Sequence, residues 1–303
     1  MLDSPLREDV AGGIGVFMAS LREMISGSAL IEAPVVFNPL SAKLAQAAGF
    51  PALYLGGGGL GYIQCVTEAN LTLTEMVRIG IDIRTVCPLP LILDGACGWG
   101  DPMHLHRTIN MVEAAGFAGI EIEDQLLPKR AHHHIGIEHM IDAGLMSAKI
   151  REAAKARRNR DFVIIGRTNA LRSSTMDDAL SRAEAYRAAG ADVLLVMAHK
   201  AEHFRQLGER LAPPLMTLTT DGQLRKIGLT KADLAALGFR LLVDALSPVL
   251  LFHKTMKRCY QAIADGESAS LFAPEGMGRE QNELHQTIGL EEMLAIERET
   301  VEK

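Results

Sequence analysis

The chain has 303 residues, 48% of them hydrophobic and 22% charged, with 31 Lys and Arg against 37 Asp and Glu for a formal net charge of −6. This is the composition of a folded globular protein with a sizeable core; it offers no basic footprint for nucleic acid, and no stretch of about 18 apolar residues is present to span a membrane. The start, MLDSPLREDVAGG, lacks the cationic-then-apolar order of a signal peptide, and the four cysteines (Cys65, Cys87, Cys97, Cys259) form no CxxC pair, so reduced thiols in a cytoplasmic protein are expected.

Along the chain, short apolar runs rich in β-formers alternate with segments of helical period. The first run, 34–37 (PVVF), precedes a helix over 41–48, and the second, 52–55 (ALYL), leads into the glycine-rich 56–61 (GGGGLG) and a helix over 72–85. Thr72-x-x-Glu75 reads as a capping box at that helix start. The third run, 89–93, is followed by a helix over 102–115 with Pro102 at its first position, and the fourth, 119–122 (GIEI), by one over 137–158 that ends in the cationic 155–160 (KARRNR). The remaining runs, 162–166, 193–197, 215–218 and 240–243, precede helices over 177–189, 201–210, 231–237 and 248–263. AAGF at 47–50 and 114–117, AAGA at 188–191 and ALG at 236–238 place Gly where a left-handed residue stops a helix.

About 150 residues per domain would suggest two domains, but eight β-then-α units without a composition break argue for one closed parallel barrel, which takes about 250 residues. An open doubly wound sheet would want a glycine-rich phosphate turn after the first strand, and none is there. The segment 56–61 follows the second strand and lacks the GK[ST] or GxGxxG context, so it reads as a weak phosphate cradle or as a tight loop. The expected fold is a single (β/α)₈ TIM-type barrel with an N-terminal helix over 1–265 and a C-terminal helical arm over 266–303.

In such a barrel the site lies at the C-terminal strand ends. The polar residues there are Asn38, then Asp94, then Glu123, Asp124 and Gln125, then Arg167, Thr168 and Asn169. His199 follows the sixth strand, Thr219, Thr220 and Asp221 the seventh, and Asp244 the eighth. Asp94 and Glu123, on adjacent strands, repel unless a cation bridges them, and oxygen ligands with retained water describe Mg²⁺; a structural ion-pair network is the other reading. Arg167 has the fork geometry to hold a substrate carboxylate. Of the run His132, His133 and His134, one residue, His132 or His133, suits proton transfer, while zinc would want spaced ligands and a solvated loop would want none of this. Cys97 has no base beside it in sequence and reads as a small filler; His104, His106 and His139 read as helix-surface residues.

The phrases ALYLGGGG (52–59), TVCPLPLILDG (85–95), EAAGFAGIEIEDQLLPKR (113–130), DFVIIGRTNA (161–170), DDALSRAEAYRAAGADVLL (177–195) and PLMTLT (214–219) together resemble the short members of the isocitrate lyase and phosphoenolpyruvate mutase superfamily. The resemblance implies a barrel, often tetrameric, with C-terminal helices swapped between subunits, hence a homotetramer or homodimer. It implies Mg²⁺, with Mn²⁺ as a substitute, and a small 2-oxo or 2-hydroxy acid converted through a pyruvate-like enolate. Asp94 matches the direct metal ligand, Glu123 a ligand through water, and Glu68 is the one acid available for a third; Gly57 and Gly58 match the amides that hold substrate oxygens, and Arg167 the carboxylate-binding Arg. Asn38, Asn169 and Thr219 are the expected further substrate contacts. Departures are Ala96 for the second acid of the metal strand, Gly56 for a Ser, Ala131 for the lyases' general-acid Cys, and Met197 for a Glu. The expected activity is therefore a Mg²⁺-dependent lyase or decarboxylase. The alternatives are a phosphonate P–C mutase or hydrolase, and a ligand-binding barrel without catalysis.

Overall fold

The computed structural model describes residues 19–220, 222–267 and 276–302; Asp221 lies outside them. Eight parallel strands form one sheet in the order β1-β8-β7-β6-β5-β4-β3-β2. They are β1 (Ile31–Pro34), β2 (Leu53–Leu55), β3 (Leu91–Asp94), β4 (Gly119–Glu123), β5 (Val163–Thr168), β6 (Val193–Val196), β7 (Leu215–Thr219) and β8 (Phe239–Asp244). The seam between β1 and β2 is narrow: Val35 N–H donates to Asp244 O at 2.8 Å, and the next residue, Val36, donates to Tyr54 O at 2.8 Å. The chain thus passes from one neighbour to the other within two residues and brings the sheet to near closure as a (β/α)₈ barrel.

Helices accompany the strands: α2 (Pro39–Ala47), α3 (Gly57–Ile63), α4 (Leu73–Arg84), α5 (His104–Ala114), α6 (Ala143–Ala156), α7 (Met176–Ala189), α8 (Ala201–Arg210), α9 (Gln223–Lys226), α10 (Lys231–Ala236) and α11 (Ser247–Ala264). Their apolar stripes, such as Leu105, Ile109 and Val112 of α5, join the outward residues of the strands in one shell. Inside the barrel, Ala33, Ile92, Ile165, Leu195, Met216 and Val243 pack together. Helix α1 (Leu21–Ser26) buries Leu21 and Ile25 against this inner set, and its Arg22 Nη2 donates to Phe162 O just before β5, so α1 floors the barrel at its N-terminal end. Two such side chains stabilise by roughly 1.5–3 kcal/mol each. The floor leaves the other end as the open one.

The glycine stops stand as expected, with Gly49, Gly116, Gly190 and Gly238 at φ of +87°, +80°, +116° and +88°. The capping box Thr72/Glu75 is present at α4. Three expectations are corrected. The first strand is β1, three residues earlier than 34–37, because 31–34 is the stretch that registers with Leu241–Asp244 of β8. The helix expected from 137 begins only at Ala143, because the Asp142 side chain accepts from Gly144 and Leu145 N–H and sets the start there, leaving His139 on a non-helical segment. Pro102 precedes α5 rather than opening it.

Beyond α11 stand two helices, α12 (Gly276–Ile288) and α13 (Leu290–Thr300), separated by the left-handed Gly289, where one polar helix was expected. No helix among the described residues is long and apolar enough to cross a membrane.

Candidate active site

The strand ends and their loops enclose a cavity of about 300 Å³. Gly58, Glu68, Asp94, His133 and Arg167 line it, together with Leu218 and Thr219 at the end of β7 and Arg172, Met197, His199 and Leu246 from the segments after β5, β6 and β8.

Strand periodicity sets the charged floor. Asp94 ends β3 and registers with Glu121 of β4, while Glu123, two residues on and on the same face, registers with Arg167 of β5. Arg167 forks across the pair: Nη1 lies 2.7 Å from Glu121 Oε1 and Nη2 lies 3.3 Å from Glu123 Oε2. Asn169 continues the net, accepting from Arg167 Nε at 3.2 Å and donating from Nδ2 to Glu123 Oε2 at 2.9 Å. Tyr54 OH donates to the remaining Glu121 oxygen at 2.8 Å.

Asp94 is fixed by backbone donors: Gly57 N–H reaches Oδ2 and Ala96 N–H reaches Oδ1, both at 2.9 Å. The glycine-rich segment is helix α3 rather than a loop, and its glycines let it settle onto the carboxylates. A Cβ on Gly57 would stand 3.2 Å from Asp94 Oδ2, and one on Gly61 would meet Val66 O and Glu68 N at 2.9 Å, blocking the fold-back that delivers Glu68. Ala96, where the resemblance leads one to expect an acid, sits at φ +44° and accepts Glu123 N–H at 2.8 Å, so the position serves backbone register between β3 and β4. Behind it, the buried Lys149 of α6 donates to Cys97 O at 2.5 Å. Burial, then the charge of Glu123, pushes the Cys97 thiol up to about 12, consistent with a filler rather than a nucleophile.

The central cation is Lys129, from the loop after β4. Its ammonium pairs with Glu68 Oε1 at 2.5 Å and closely with Glu123 Oε1. Burial alone would lower its pKa; Glu123 and Glu68 more than offset that and hold it well above the ordinary lysine value. Burial would likewise raise Glu68 and Glu123, but the His133 hydrogen bond and the Lys129 charge hold Glu68 low, and the Arg167 and Lys129 charges hold Glu123 low. Asp94 is raised, by burial first and then by Glu68.

His133 alone of the expected proton carriers lines the cavity, with Nε2 2.7 Å from Glu68 Oε1. Burial would depress its pKa; Glu68 outweighs this and raises it. His132 is exposed, its Nδ1 2.9 Å from His139 Nε2. His134 lines the cavity and bonds Thr67 Oγ1 at 2.8 Å. Asn38 caps α2, its Oδ1 accepting Ser41 N–H at 2.8 Å, and does not line the cavity. Asp124 sits behind the floor, held by Tyr186 OH at 2.8 Å. Tyr54, Glu121 and Lys129 lie within the phrases that carry the resemblance but are not singled out there as site residues, and Lys149 lies outside them; the signal for a lysine is the group of carboxylates needing a counter-charge.

Glu121 offers a pH test. Burial, opposed by Arg167 and reinforced by Asp94, raises its pKa to about 7 from an unfolded value near 4.5. The folded state therefore binds the proton more tightly, and this contribution to stability is full below about 4.5 and lost as pH rises through about 7, on the order of 3 kcal/mol at most. Glu121→Gln, which mimics the protonated acid, is expected to gain stability relative to the parent between pH 6 and 8 in urea unfolding. A constant difference across that range would show that Glu121 is already ionised at pH 6.

A model of the family described as phosphoenolpyruvate phosphomutase matches residues 21–264. The chain belongs to this family. Among curated proteins, it is 30% identical over 255 residues to 2,3-dimethylmalate lyase of Eubacterium barkeri, covering 83% of this chain and 88% of that one. It is 31% identical over 270 residues to oxaloacetate decarboxylase of Rhodopseudomonas palustris (strain HaA2), covering 86% and 90%. Among solved structures, phosphonopyruvate hydrolase in complex with oxalate and Mg²⁺ superposes with a TM-score of 0.80 at 26% identity, covering 93% of this chain and 98% of that one.

Proposed function

We propose that the chain is a Mg²⁺-dependent carbon–carbon lyase or carboxy-lyase acting on a small 2-oxo or 2-hydroxy dicarboxylate through a pyruvate-like enolate. The observation that carries this reading is the charge balance beneath the cavity. Three buried carboxylates, Asp94, Glu121 and Glu123, and the partly covered Glu68 face two permanent cations, Lys129 and Arg167, with His133 beside Glu68. Among them Asp94 is the acid that no side-chain cation pairs with in the described residues, and a divalent ion beside it would offset the cost of its burial. Among the described residues no three acidic, histidine or cysteine side chains are gathered as a metal cage, so an ion here would have to keep much of its water. Mg²⁺ is that kind of ion, with Mn²⁺ as a substitute. Asp94 would ligate directly, Glu123 and Glu68 through water. When bound, the ion would supply Lewis-acid stabilisation of negative charge on substrate oxygens.

The chain's own groups complete the chemistry. Gly58, at the N-terminal turn of α3, presents its amide to the oxygen that gains charge, while Gly57 uses its N–H to orient Asp94. Arg167 clamps the inner carboxylate, with Asn169 holding the guanidinium plane and Thr219 on the cavity wall. His133, whose pKa the Glu68 carboxylate raises, moves the proton in place of the cysteine that Ala131 replaces. The relatives named a lyase and a decarboxylase support this reading. A panel of 2-oxo and 2-hydroxy acids with Mg²⁺, read by mass spectrometry for pyruvate release, is expected to give turnover on at least one four- to six-carbon dicarboxylate; silence across the panel would sink it.

The likeness to phosphonopyruvate hydrolase favours a second reading, P–C cleavage on the same floor. Phosphorus NMR with phosphonopyruvate separates the two. The working form in this reading is a cytoplasmic homodimer or homotetramer: the four cysteines are unpaired thiols, and Leu250, Leu251, Phe252 and Tyr260 of α11 with Met277 and Leu284 of α12 leave apolar surface for a second copy. Light scattering is expected to give twice or four times the chain mass.

A further inference from the structure

The outer part of the cavity holds a second cationic group that the charged floor does not use. Arg172 ends the short turn Ala170–Arg172 that follows β5, so the strand carrying Arg167 inward also delivers an arginine to the rim. Its Nη1 lies 2.7 Å from Glu138 Oε1, and the Glu138 side chain is 0% exposed against 28% for Arg172. The other Glu138 oxygen takes Gln125 Nε2 in a short contact. The carboxylate is therefore a fixed, doubly bonded anchor that holds the guanidinium by one corner. The Nε and Nη2 donors of Arg172 make no hydrogen bond to the described residues, and the side chain forms part of the cavity wall.

His199, from the loop after the adjoining strand β6, lines the same stretch. Burial, then the charges of Arg172 and His203, lower its pKa, so at neutral pH it offers an N–H without adding charge. The lining of the same cavity also includes the apolar Met197, Leu218 and Leu246. At about 300 Å³ the cavity has the volume of roughly ten water molecules, far more than a two- or three-carbon acid fills. An arginine anchored by one corner with free donors beside an N–H is suited to receive a carboxylate in a fork.

We infer that Arg172 and His199 form an outer anion subsite that takes the distal carboxylate of the substrate, whose carbon chain lies along Met197, Leu218 and Leu246. This rests on the reading of the inner site given above and adds which end of the dicarboxylate is recognised where. Arg172 is a specificity-determining residue in this account, and the metal-binding floor is independent of it.

The test is calorimetry on the full chain with Mg²⁺ and three probes: oxalate for the inner site, and 2-oxoglutarate against 2-oxovalerate, which differ only in a distal carboxylate for a methyl. The intact protein is expected to prefer 2-oxoglutarate at least tenfold. Arg172→Gln is expected to erase that preference and leave oxalate affinity within twofold; Arg172→Lys, which keeps the charge but not the fork, should fall between. Equal affinity for the two oxo acids, or a preference that survives Arg172→Gln, with oxalate still bound, overturns the outer subsite alone. Failure of the intact protein to bind oxalate with Mg²⁺ overturns the inner-site reading and the subsite with it. An Arg172-dependent preference for 3-phosphonopyruvate over 2-oxoglutarate would overturn the carboxylate assignment.

Discussion

Asp94→Asn is expected to lower Mg²⁺-dependent turnover by at least about a thousandfold, equivalent to ~4 kcal/mol of transition-state stabilisation, while changing folding stability by no more than about 2 kcal/mol. The two expectations come from different parts of the same side chain. As a carboxylate, Asp94 is the acid at the end of β3 that reaches the cavity, and the proposed direct ligand for the ion. As a shape, it receives Gly57 N–H and Ala96 N–H, one on each oxygen. Asparagine keeps one acceptor and turns a donor toward the other N–H, a conflict that costs about 1–3 kcal/mol. Against that, loss of one negative charge relieves the cost of burying it and the repulsion from Glu68 and Glu123, which together raise the Asp94 pKa. Kinetics with a Mg²⁺ titration, paired with urea unfolding, separates the effects. Unchanged oxaloacetate decarboxylation in the variant would remove Asp94 from the metal site and with it the reading of the floor.

The barrel was legible because its punctuation is local. Glycines at 49, 116, 190 and 238 stop helices by backbone conformation alone, and apolar runs buried on both faces mark parallel strands whatever their neighbours. What was not legible depended on partners distant in sequence. The start of β1 is set by its register with β8, some two hundred residues away, and Pro34–Phe37 reads better as a strand only while that partner is out of view. Helix α3 is hidden because four consecutive glycines argue against a helix by propensity; contact with Asp94 and Glu68 overrides that preference.

The site divides in the same way. Asp94 and Glu123 end their strands and Arg167 is the last residue but one of β5, so a barrel topology brings them together without further information. Glu121 and Lys129 do not follow from that rule. Glu121 lies inside β4 and is drawn into the cluster by the two-residue strand period, and Lys129 arrives on a loop whose path is set by the carboxylates it neutralises. The three histidines are adjacent in sequence yet face different partners: His132 meets His139, His133 meets Glu68 and His134 meets Thr67. A short turn over Ala131–Ile135 rotates successive side chains apart, which no count of histidines could reveal.

Arg167→Met is expected to cost about 3–5 kcal/mol of stability at pH 8 and to abolish turnover, and the stability loss should shrink as the pH falls. The guanidinium is the common partner of Glu121, Glu123 and Asn169, and it lies almost out of solvent at 11% exposure. Without it only Lys129, with His133 beside Glu68, faces Glu68, Asp94, Glu121 and Glu123, and buried charge left unpaired is far more costly than a missing surface pair. Glu121 loses the cation that opposes burial, so its folded pKa rises above the present value of about 7. A pKa raised in the folded state means stability present at low pH and lost as pH rises through that value, so the variant should be closest to the parent near pH 5.5 and furthest from it at pH 8. Arg167→Lys keeps a charge but not the fork, and is expected to recover part of the stability and little of the turnover. Adding Glu121→Gln to the methionine variant should restore stability at pH 8 by removing the charge that Arg167 balanced. Urea unfolding at the two pH values, on the single and double variants, measures each of these differences. A methionine variant as stable as the parent at pH 8 would mean that the floor carboxylates are already protonated, and the surplus of charge on which the metal reading rests would not exist.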